Sequence, residues 1–139
     1  LELPADRDLI LTFHYYNPFP FTHQEADWVE GSMAWKGTQW KGTQREKADV
    51  MRDMTDVSRF AAKMKVPVFV GEFGAYGKAD MTSRVKWTGY CASVFEELGF
   101  SWAYWEFCAG FGVYDPVNRV WRPELLKALQ GKKAVREKK

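Results

Sequence analysis

The sequence predicts an α/β fold built on a parallel sheet, and two observations lead to this prediction. Three short apolar or aromatic runs have strand character, and the first two have the continuous hydrophobic character of strands that are covered on both faces. Longer segments separate these runs, and their apolar residues recur at helical spacing with charged residues between them. Such alternation of strands and helices is typical of right-handed βαβ units in one parallel sheet.

The predicted strands comprise Leu9–Phe13, Val66–Val70 and Ser101–Phe107. Aliphatic and β-branched residues dominate the first two runs and aromatic residues the third, and these classes favour extended structure. Polar or aromatic residues follow or end each run. The strand ends are therefore the first place to look for a functional site.

The predicted helices comprise Arg45–Lys65, Thr82–Leu98 and a last helix at about Pro123–Leu129. In the first two, apolar residues recur every three or four positions, as on the buried face of a helix. Gly99 and Gly131 follow the second and third helices, where a helix C-terminus favours glycine. Proline in the first turn of the third helix is also common.

A long segment, Tyr15–Gln44, connects the first strand to the first helix and is rich in Trp, Phe, Gly and Thr. Connections of this length in a compact domain are usually functional. The segment contains a tandem duplication, with WKGTQ at residues 35–39 and again at residues 40–44. We interpret the duplication as a short loop insertion, although Trp35 and Trp40 could both contact a ligand.

The chain has 139 residues, which suits one domain, and its net charge is only +2. The basic excess lies largely in residues 132–139, which we expect to be a disordered tail outside a domain at residues 1–131. A basic tail differs from the basic face of nucleic-acid-binding proteins, and no apolar run approaches the roughly 20 residues that span a bilayer. We therefore expect neither nucleic acid nor a membrane as partner, and the N-terminus shows no leader pattern.

The cysteines and histidines do not form a metal-binding pattern. Cys91 and Cys108 lack a CxxC spacing, and no cysteine stands close to His14 or His23. We therefore expect no metal site, no disulfide framework and no cofactor. The seven tryptophans, however, exceed what a core of this size needs, and this excess points to ligand binding.

Chemistry-bearing residues follow each predicted strand, and the carboxyl ends of parallel strands meet at one edge of a sheet. The three ends read HYYNPF at residues 14–19, GEFGA at residues 71–75 and WEFC at residues 105–108. Glu72 is the sharpest candidate, because two glycines beside it permit close backbone approach. A lone glutamate at a strand end is as often a salt-bridged or capping group, and a lone histidine such as His14 is more often structural.

Together, His14, Tyr16, Glu72 and Trp105 favour a functional interpretation. Flat aromatic rings pack on the apolar faces of sugar rings, while carboxylates and imidazoles form hydrogen bonds with their hydroxyl groups. The combination of these residue types at neighbouring strand ends therefore favours carbohydrate recognition.

Four motifs in the same order resemble glycoside hydrolase family 5: HYYNPF at residues 14–19, FTHQ at 21–24, VGEFGA at 70–75 and WAYWEF at 102–107. Within that family the sequence looks most like bacterial endo-β-1,4-glucanases, the former cellulase family A. The resemblance runs from about Leu9 to Leu129. It implies a partial (β/α)₈ barrel, in which the three predicted βα units are the sixth to eighth.

The resemblance also implies roles for individual residues. Glu72 matches the nucleophile of a retaining glycosidase, Tyr16 the residue that orients it, and His14 a residue that lines the cleft. Trp105 matches a stacking platform for the sugar. His23 and Trp28 match loop positions that contact substrate in similar enzymes.

The second carboxylate of such an enzyme is missing from the motifs. The family's acid/base is the glutamate of an Asn-Glu-Pro motif, which this sequence lacks together with the first five strands. Retaining glycosidases need two carboxyl groups about 5–5.5 Å apart, and a full barrel takes about 250 residues. Glu106, which adjoins Trp105 and is expected to contact substrate, is the best local substitute, and Asp115 is another.

Three explanations follow. The chain is the C-terminal part of a larger barrel, it assembles with copies of itself, or unassigned segments complete the sheet. We favour the first two, because no other segment predicts a strand. The partners expected are thus a β-glucan and either a complementing N-terminal barrel part or a second copy.

The sequence predicts an endo-β-1,4-glucanase that works by retaining double displacement. The alternatives are a non-catalytic glucan-binding module and an inactive barrel fragment. Because polymeric cellulose lies outside cells, we expect a secreted protein.

Overall fold

The structure is a computed structural model that describes residue 4 and residues 8–131. Three parallel strands, β1 (Leu11–Tyr15), β2 (Val68–Phe73) and β3 (Ser101–Trp102), form one sheet in that order. This arrangement confirms the predicted α/β class with a parallel sheet. The expected tail at residues 132–139 lies outside the described residues.

Helices alternate with the strands as predicted. The helices are α1 (Phe19–Thr22), α2 (Gln44–Met64), α3 (Met81–Glu97) and α4 (Pro123–Gln130), with a 3-10 helix at Ser32–Trp35. Thr43 begins α2 with a capping box, in which its side chain and that of Glu46 each accept from the other's backbone N–H. Within the described residues no helix is long and apolar enough to cross a membrane.

One core lies between the sheet and the helices. Val70 and Phe73 of β2 are fully buried, and the Phe73 ring contacts Phe95 edge-on at 5.0 Å between centroids. Trp87 of α3 is also fully buried and donates its indole N–H to the carbonyl of Asn17 at 2.9 Å. This bond ties the loop after β1 to the core and thereby fixes the position of the loop.

An irregularity interrupts the pairing of β1 with β2. Phe13 lies opposite Val70 and His14 opposite Glu72, so Gly71 is an extra residue in β2. A Cβ on Gly71 would lie 3.3 Å from His14 Nε2, which places residue 71 on the face where His14 lies. Glu72 lies on the same face, because its carboxylate contacts His14, whereas Phe73 is buried under the helices. The extra residue is thus accommodated while Glu72 stays on the face away from the helices and Phe73 stays in the core.

Two strand predictions differ from the structure. The third strand is Ser101–Trp102 rather than Ser101–Phe107, because regular pairing with β2 stops at Trp102. Beyond it, only single hydrogen bonds from the backbone N–H groups of Ala103 and Trp105 reach β2. The expectation that no other segment forms a strand is wrong: β4 (Tyr114–Asp115) and β5 (Val120–Trp121) pair as a short antiparallel hairpin. This hairpin is a separate sheet and does not extend the parallel one.

The two copies of the WKGTQ duplication have different environments. Trp35 ends the 3-10 helix and is half-buried, whereas Trp40 is 1% exposed and packs against Tyr90 at 5.9 Å between centroids. Thr43 of the second copy caps α2. Trp40 is therefore part of the core, whereas a ligand contact of either tryptophan stays a prediction.

Candidate active site

Glu72 and two residues from the end of β1 form a hydrogen-bonded group. The Tyr16 hydroxyl donates to Glu72 Oε2 at 2.7 Å, and His14 Nδ1 lies 3.3 Å from the same oxygen. The Glu72 side chain is 25% exposed, so the carboxylate is accessible while being held in place. The parallel pairing of the ends of β1 and β2 brings the three side chains together on the face opposite the helices.

Tyr16 acts only as a hydrogen-bond donor to this carboxylate. Burial, together with the hydrogen bond to Glu72, raises the pKa of Tyr16 above its usual value. The hydroxyl therefore keeps its proton at neutral pH and donates it to the hydrogen bond with Glu72. Such a bond holds the carboxylate in one orientation.

An open cavity of about 580 Å³ lies in front of Glu72. Six of the seven predicted site residues line it, all but His14: Tyr16, His23, Trp28, Glu72, Trp105 and Glu106. Tyr76, Ala109, Gly110 and Phe111 complete the wall. Most of these side chains are aromatic, and the cavity is thus an apolar groove that holds two carboxylates.

Trp105 presents an exposed ring at the rim of this cavity. The residue is 44% exposed, and its backbone N–H donates to the carbonyl of Phe73 at 2.8 Å. Gly74 makes this position possible, because a Cβ at residue 74 would overlap the Trp105 carbonyl oxygen. The backbone of Trp105 is thereby fixed, and its ring lines the same cavity as Glu72, as a flat surface on which a sugar could stack.

Glu106 lines the cavity, but its carboxylate is hydrogen-bonded to the backbone of the loop that follows, which sequence reasoning missed. Its Oε2 accepts from the backbone N–H groups of Cys108 and Ala109 at 3.1 and 2.8 Å, and its Oε1 from that of Phe111 at 3.1 Å. Both oxygens are therefore occupied in shaping the loop at residues 107–111. This geometry disfavours Glu106 as a substitute acid.

Asp115 does not line the cavity. It lies in the β4–β5 hairpin, where its Oδ1 accepts from the backbone N–H groups of Val117 and Asn118 at 3.0 and 3.1 Å. Hydrogen bonds from Asn118 lower the pKa of the Asp115 carboxyl. The structure therefore gives Asp115 the role of organising the hairpin turn.

His23 and Trp28 approach the cavity from the segment between β1 and α2. The His23 ring stacks on Phe19 at 3.9 Å between centroids and contacts Tyr16 edge-on at 4.9 Å. Trp28 is 57% exposed and contacts Tyr76 edge-on at 4.9 Å. The long segment after β1 is thus a wall of the site.

Tyr76 and Phe111 are site residues that sequence reasoning missed. They contact each other at 5.4 Å between centroids, and Phe111 also contacts Tyr16 at 6.1 Å. The sequence features that point to them are the aromatic residue directly after GEFGA and the glycines on either side of residue 111. No group of three or more potential metal ligands occurs in the described part of the chain.

Comparison with known proteins agrees with the fold and the motifs. The model of the cellulase family, glycosyl hydrolase family 5, matches residues 1–110 of the chain. Endoglucanase H of Acetivibrio thermocellus is 34% identical over 135 residues, which are 93% of this chain and 14% of that relative.

Solved structures of Thermotoga maritima Cel5A give the same result. Its complexes with cellobiose and with mannotriose each match with a TM-score of 0.89 and 46% identity, over 93% of this chain and 42% of the other. This chain thus spans less than half the length of these relatives. Its three parallel strands are part of a (β/α)₈ barrel, and the chain belongs to the cellulase family, glycosyl hydrolase family 5.

Proposed function

We propose that this chain supplies the nucleophile half of a retaining endo-β-1,4-glucanase. The observation that carries the proposal is the oriented Glu72 carboxylate, which accepts from Tyr16 at 2.7 Å inside an aromatic cavity. Endoglucanase H and the cellobiose complex of Cel5A support a β-glucan as substrate. The mannotriose complex of Cel5A makes a β-mannan the alternative polymer.

In the proposed reaction a Glu72 oxygen attacks the anomeric carbon of a bound glucosyl unit. The bond from that carbon to the glycosidic oxygen breaks, and the departing oxygen takes a proton from a second carboxyl group. Water, deprotonated by that same group, then attacks the anomeric carbon and releases Glu72. Tyr16 keeps the attacking carboxylate oriented in both steps, and Trp105 holds the sugar ring beside it.

The second carboxyl group is proposed to come from outside the described residues. Glu106 uses both oxygens to hold its loop, and Asp115 does not line the cavity. β1 and β3 are the outer strands of the sheet, so each has one edge that can pair with further strands. A complementing N-terminal barrel part, or a second copy of this chain, would cover these edges and bring the missing carboxyl group.

A second candidate function is glucan binding without cleavage. The observation that favours it is that Glu72 is the only carboxylate lining the cavity, among the described residues, that does not accept from backbone N–H groups. Aromatic walls and one carboxylate are sufficient to bind an oligosaccharide. For either function the polymeric substrate favours a secreted protein.

The test combines activity, binding and solution mass. Reducing-sugar release from a soluble cellulose derivative is measured for the wild-type chain and for Glu72→Gln, with Glu30→Gln as the matched control on the exposed loop. Release that disappears only in Glu72→Gln supports the enzyme, and unchanged release in that variant would overturn it. Cellulose pull-down without release by an assembly of copies supports the binding module. Light scattering on the same samples shows whether the chain forms such an assembly or is a monomer that lacks the second carboxyl group.

A further inference from the structure

Thr22 is a fully buried hydroxyl beside the cavity. The residue is 0% exposed and ends α1, one position before His23. Its Oγ1 lies 2.6 Å from the carbonyl oxygen of Tyr16 and 3.0 Å from His23 Nδ1. The Phe19 carbonyl oxygen is the third neighbour, at 3.4 Å. One hydroxyl therefore connects the backbone of Tyr16 with the imidazole of His23.

The chemistry of these neighbours determines where the protons lie. A hydroxyl group has one proton to donate, and a carbonyl oxygen can only accept. The hydroxyl proton therefore points to the Tyr16 carbonyl at 2.6 Å, and Oγ1 offers only lone pairs to His23. His23 Nδ1 must then carry a proton, because two lone pairs facing each other at 3.0 Å would repel.

The protonation state of the other ring nitrogen, His23 Nε2, follows from that of Nδ1. Burial lowers the pKa of His23 below its usual value, so the ring is neutral at neutral pH and has one proton. With that proton on Nδ1, Nε2 has a free lone pair. Nε2 forms no hydrogen bond with residue 4 or residues 8–131, and His23 lines the cavity.

Aromatic neighbours fix the plane of the ring. Phe19 stacks on His23 with an interplanar angle of 20°, and Tyr16 and Trp28 meet it at 77° and 76°. Phe111 closes a further side at 5.6 Å between centroids. The imidazole is thus held in one orientation, and the direction of its Nε2 lone pair is set before any ligand arrives.

We propose that Thr22 is a positioning residue that fixes His23 as the Nδ1–H tautomer, so that Nε2 accepts a hydrogen bond from a sugar hydroxyl in the cavity. The tautomer stands on the geometry of this chain alone, whereas the sugar hydroxyl as donor rests on the proposed function. The cavity then offers two acceptors to hydroxyl groups, Glu72 and His23 Nε2. A sugar that lacks the matching hydroxyl would leave a buried acceptor unpaired and bind more weakly.

Long-range ¹H–¹⁵N NMR of the imidazole nitrogens tests the tautomer directly, because the chain has only two histidines. The His23 signals are those that disappear in His23→Gln. In the wild-type chain at neutral pH we expect Nδ1 in the chemical-shift range of a protonated nitrogen and Nε2 in that of an unprotonated one. A wild-type spectrum with Nε2 protonated would overturn the proposal without any Thr22 variant.

Two substitutions then test the role of Thr22. Thr22→Ser keeps the hydroxyl and should keep the Nδ1–H pattern, whereas the isosteric Thr22→Val should shift the ring towards the Nε2–H tautomer. If Thr22 had a purely structural role, Thr22→Val would change the chemical-shift dispersion of the backbone signals or the stability of the fold without shifting the tautomer. A folded Thr22→Val with the wild-type imidazole pattern would therefore overturn the proposal.

Titration with cellotetraose tests the ligand. In the wild-type chain the Nε2 resonance should move towards the hydrogen-bonded range as cellotetraose binds, and in Thr22→Val this movement should be lost. Binding that leaves Nε2 unmoved would overturn its role as acceptor while leaving the glucan function standing. Absence of any binding would instead overturn the proposed glucan function and leave the tautomer assignment standing.

Discussion

Tyr16 and Glu72 are 56 residues apart in the chain, and the Tyr16 hydroxyl nevertheless lies 2.7 Å from the Glu72 carboxylate. The parallel pairing of β1 with β2 brings the two strand ends together, with Glu72 on the face where His14 also lies. This hydrogen bond is the contact by which the fold orients the proposed nucleophile.

Tyr16→Phe removes this bond and leaves the ring in place. A hydrogen bond to a charged group contributes about 1.5–3 kcal/mol, so kcat/KM for a soluble β-glucan should fall roughly 10- to 100-fold. Tyr90→Phe is the matched control, since its hydroxyl donates to the Lys47 carbonyl on the helix side of the molecule. Steady-state kinetics would contradict the orienting role if KM alone rose while kcat stayed unchanged.

Trp105 should carry much of the affinity for the sugar. Trp105→Ala removes the exposed ring beside Glu72, and we expect binding of cellotetraose to weaken by about tenfold, or about 1.4 kcal/mol. Trp121→Ala is the control: its ring is 49% exposed, close to the 44% of Trp105, but does not line the cavity. Titration calorimetry should separate the two variants, and equal losses would argue against a stacking role specific to Trp105.

Gly74→Ala should disturb both stability and the site. The new Cβ would overlap the Trp105 carbonyl, so the backbone must shift, and overpacking of this kind costs about 1–3 kcal/mol. Gly89→Ala in α3 is the matched control, because its Cβ would meet Ala128 Cβ at an ordinary 3.5 Å. Urea unfolding should show a loss for Gly74→Ala and a gain of about 0.5–1 kcal/mol for Gly89→Ala, since alanine favours a helix.

The duplicated WKGTQ segment provides a matched pair of tryptophans. Trp40→Ala should lower the free energy of unfolding by about 3–5 kcal/mol, because the ring is buried against Tyr90. Trp35→Ala changes the same position of the first copy, where the ring is half-buried, and should cost clearly less. Similar losses in the two variants would contradict the separate roles of the two copies.

His23 should make the stability of the fold depend on pH. Its pKa is lowered by burial from an ordinary 6.5, so the unfolded chain takes up the proton at a higher pH than the folded chain does. The contribution of neutral His23 is therefore fully present above about pH 6.5 and is lost as pH falls through the lowered value. His23→Gln should flatten this part of the pH profile in urea unfolding, and an unchanged slope would show that other groups cause it.

Much of the fold could be predicted from the sequence, because strands and helices alternate and their apolar periodicity is regular. The boundaries were less predictable. β1 and β2 each reach further towards the site than their apolar runs, ending at Tyr15 and Phe73, because backbone pairing continues through polar residues. β3 is shorter than its aromatic run, since regular pairing with β2 stops at Trp102 and only single hydrogen bonds continue as far as Trp105.

Six of the seven residues chosen from the motifs line one cavity. Contacts made by single side chains could not be inferred in this way. The three backbone N–H groups on Glu106 depend on the path of the loop after Trp105, and the burial of Trp40 depends on where the duplicated segment returns to the core. Such features arise from tertiary packing, which a local pattern does not record.

The extra residue in β2 is separate from the choice of face at Glu72. Val70 and Phe73 are buried, and residues 71 and 72 between them both lie on the His14 face. Deletion of Gly71 would leave Val70 opposite Phe13 and Glu72 opposite His14 in a regular ladder, with the carboxylate still on the site face. The extra residue therefore sets the local bend and twist of β2 beside Glu72, and a strand transplanted without it would present the same side chains along a straighter path.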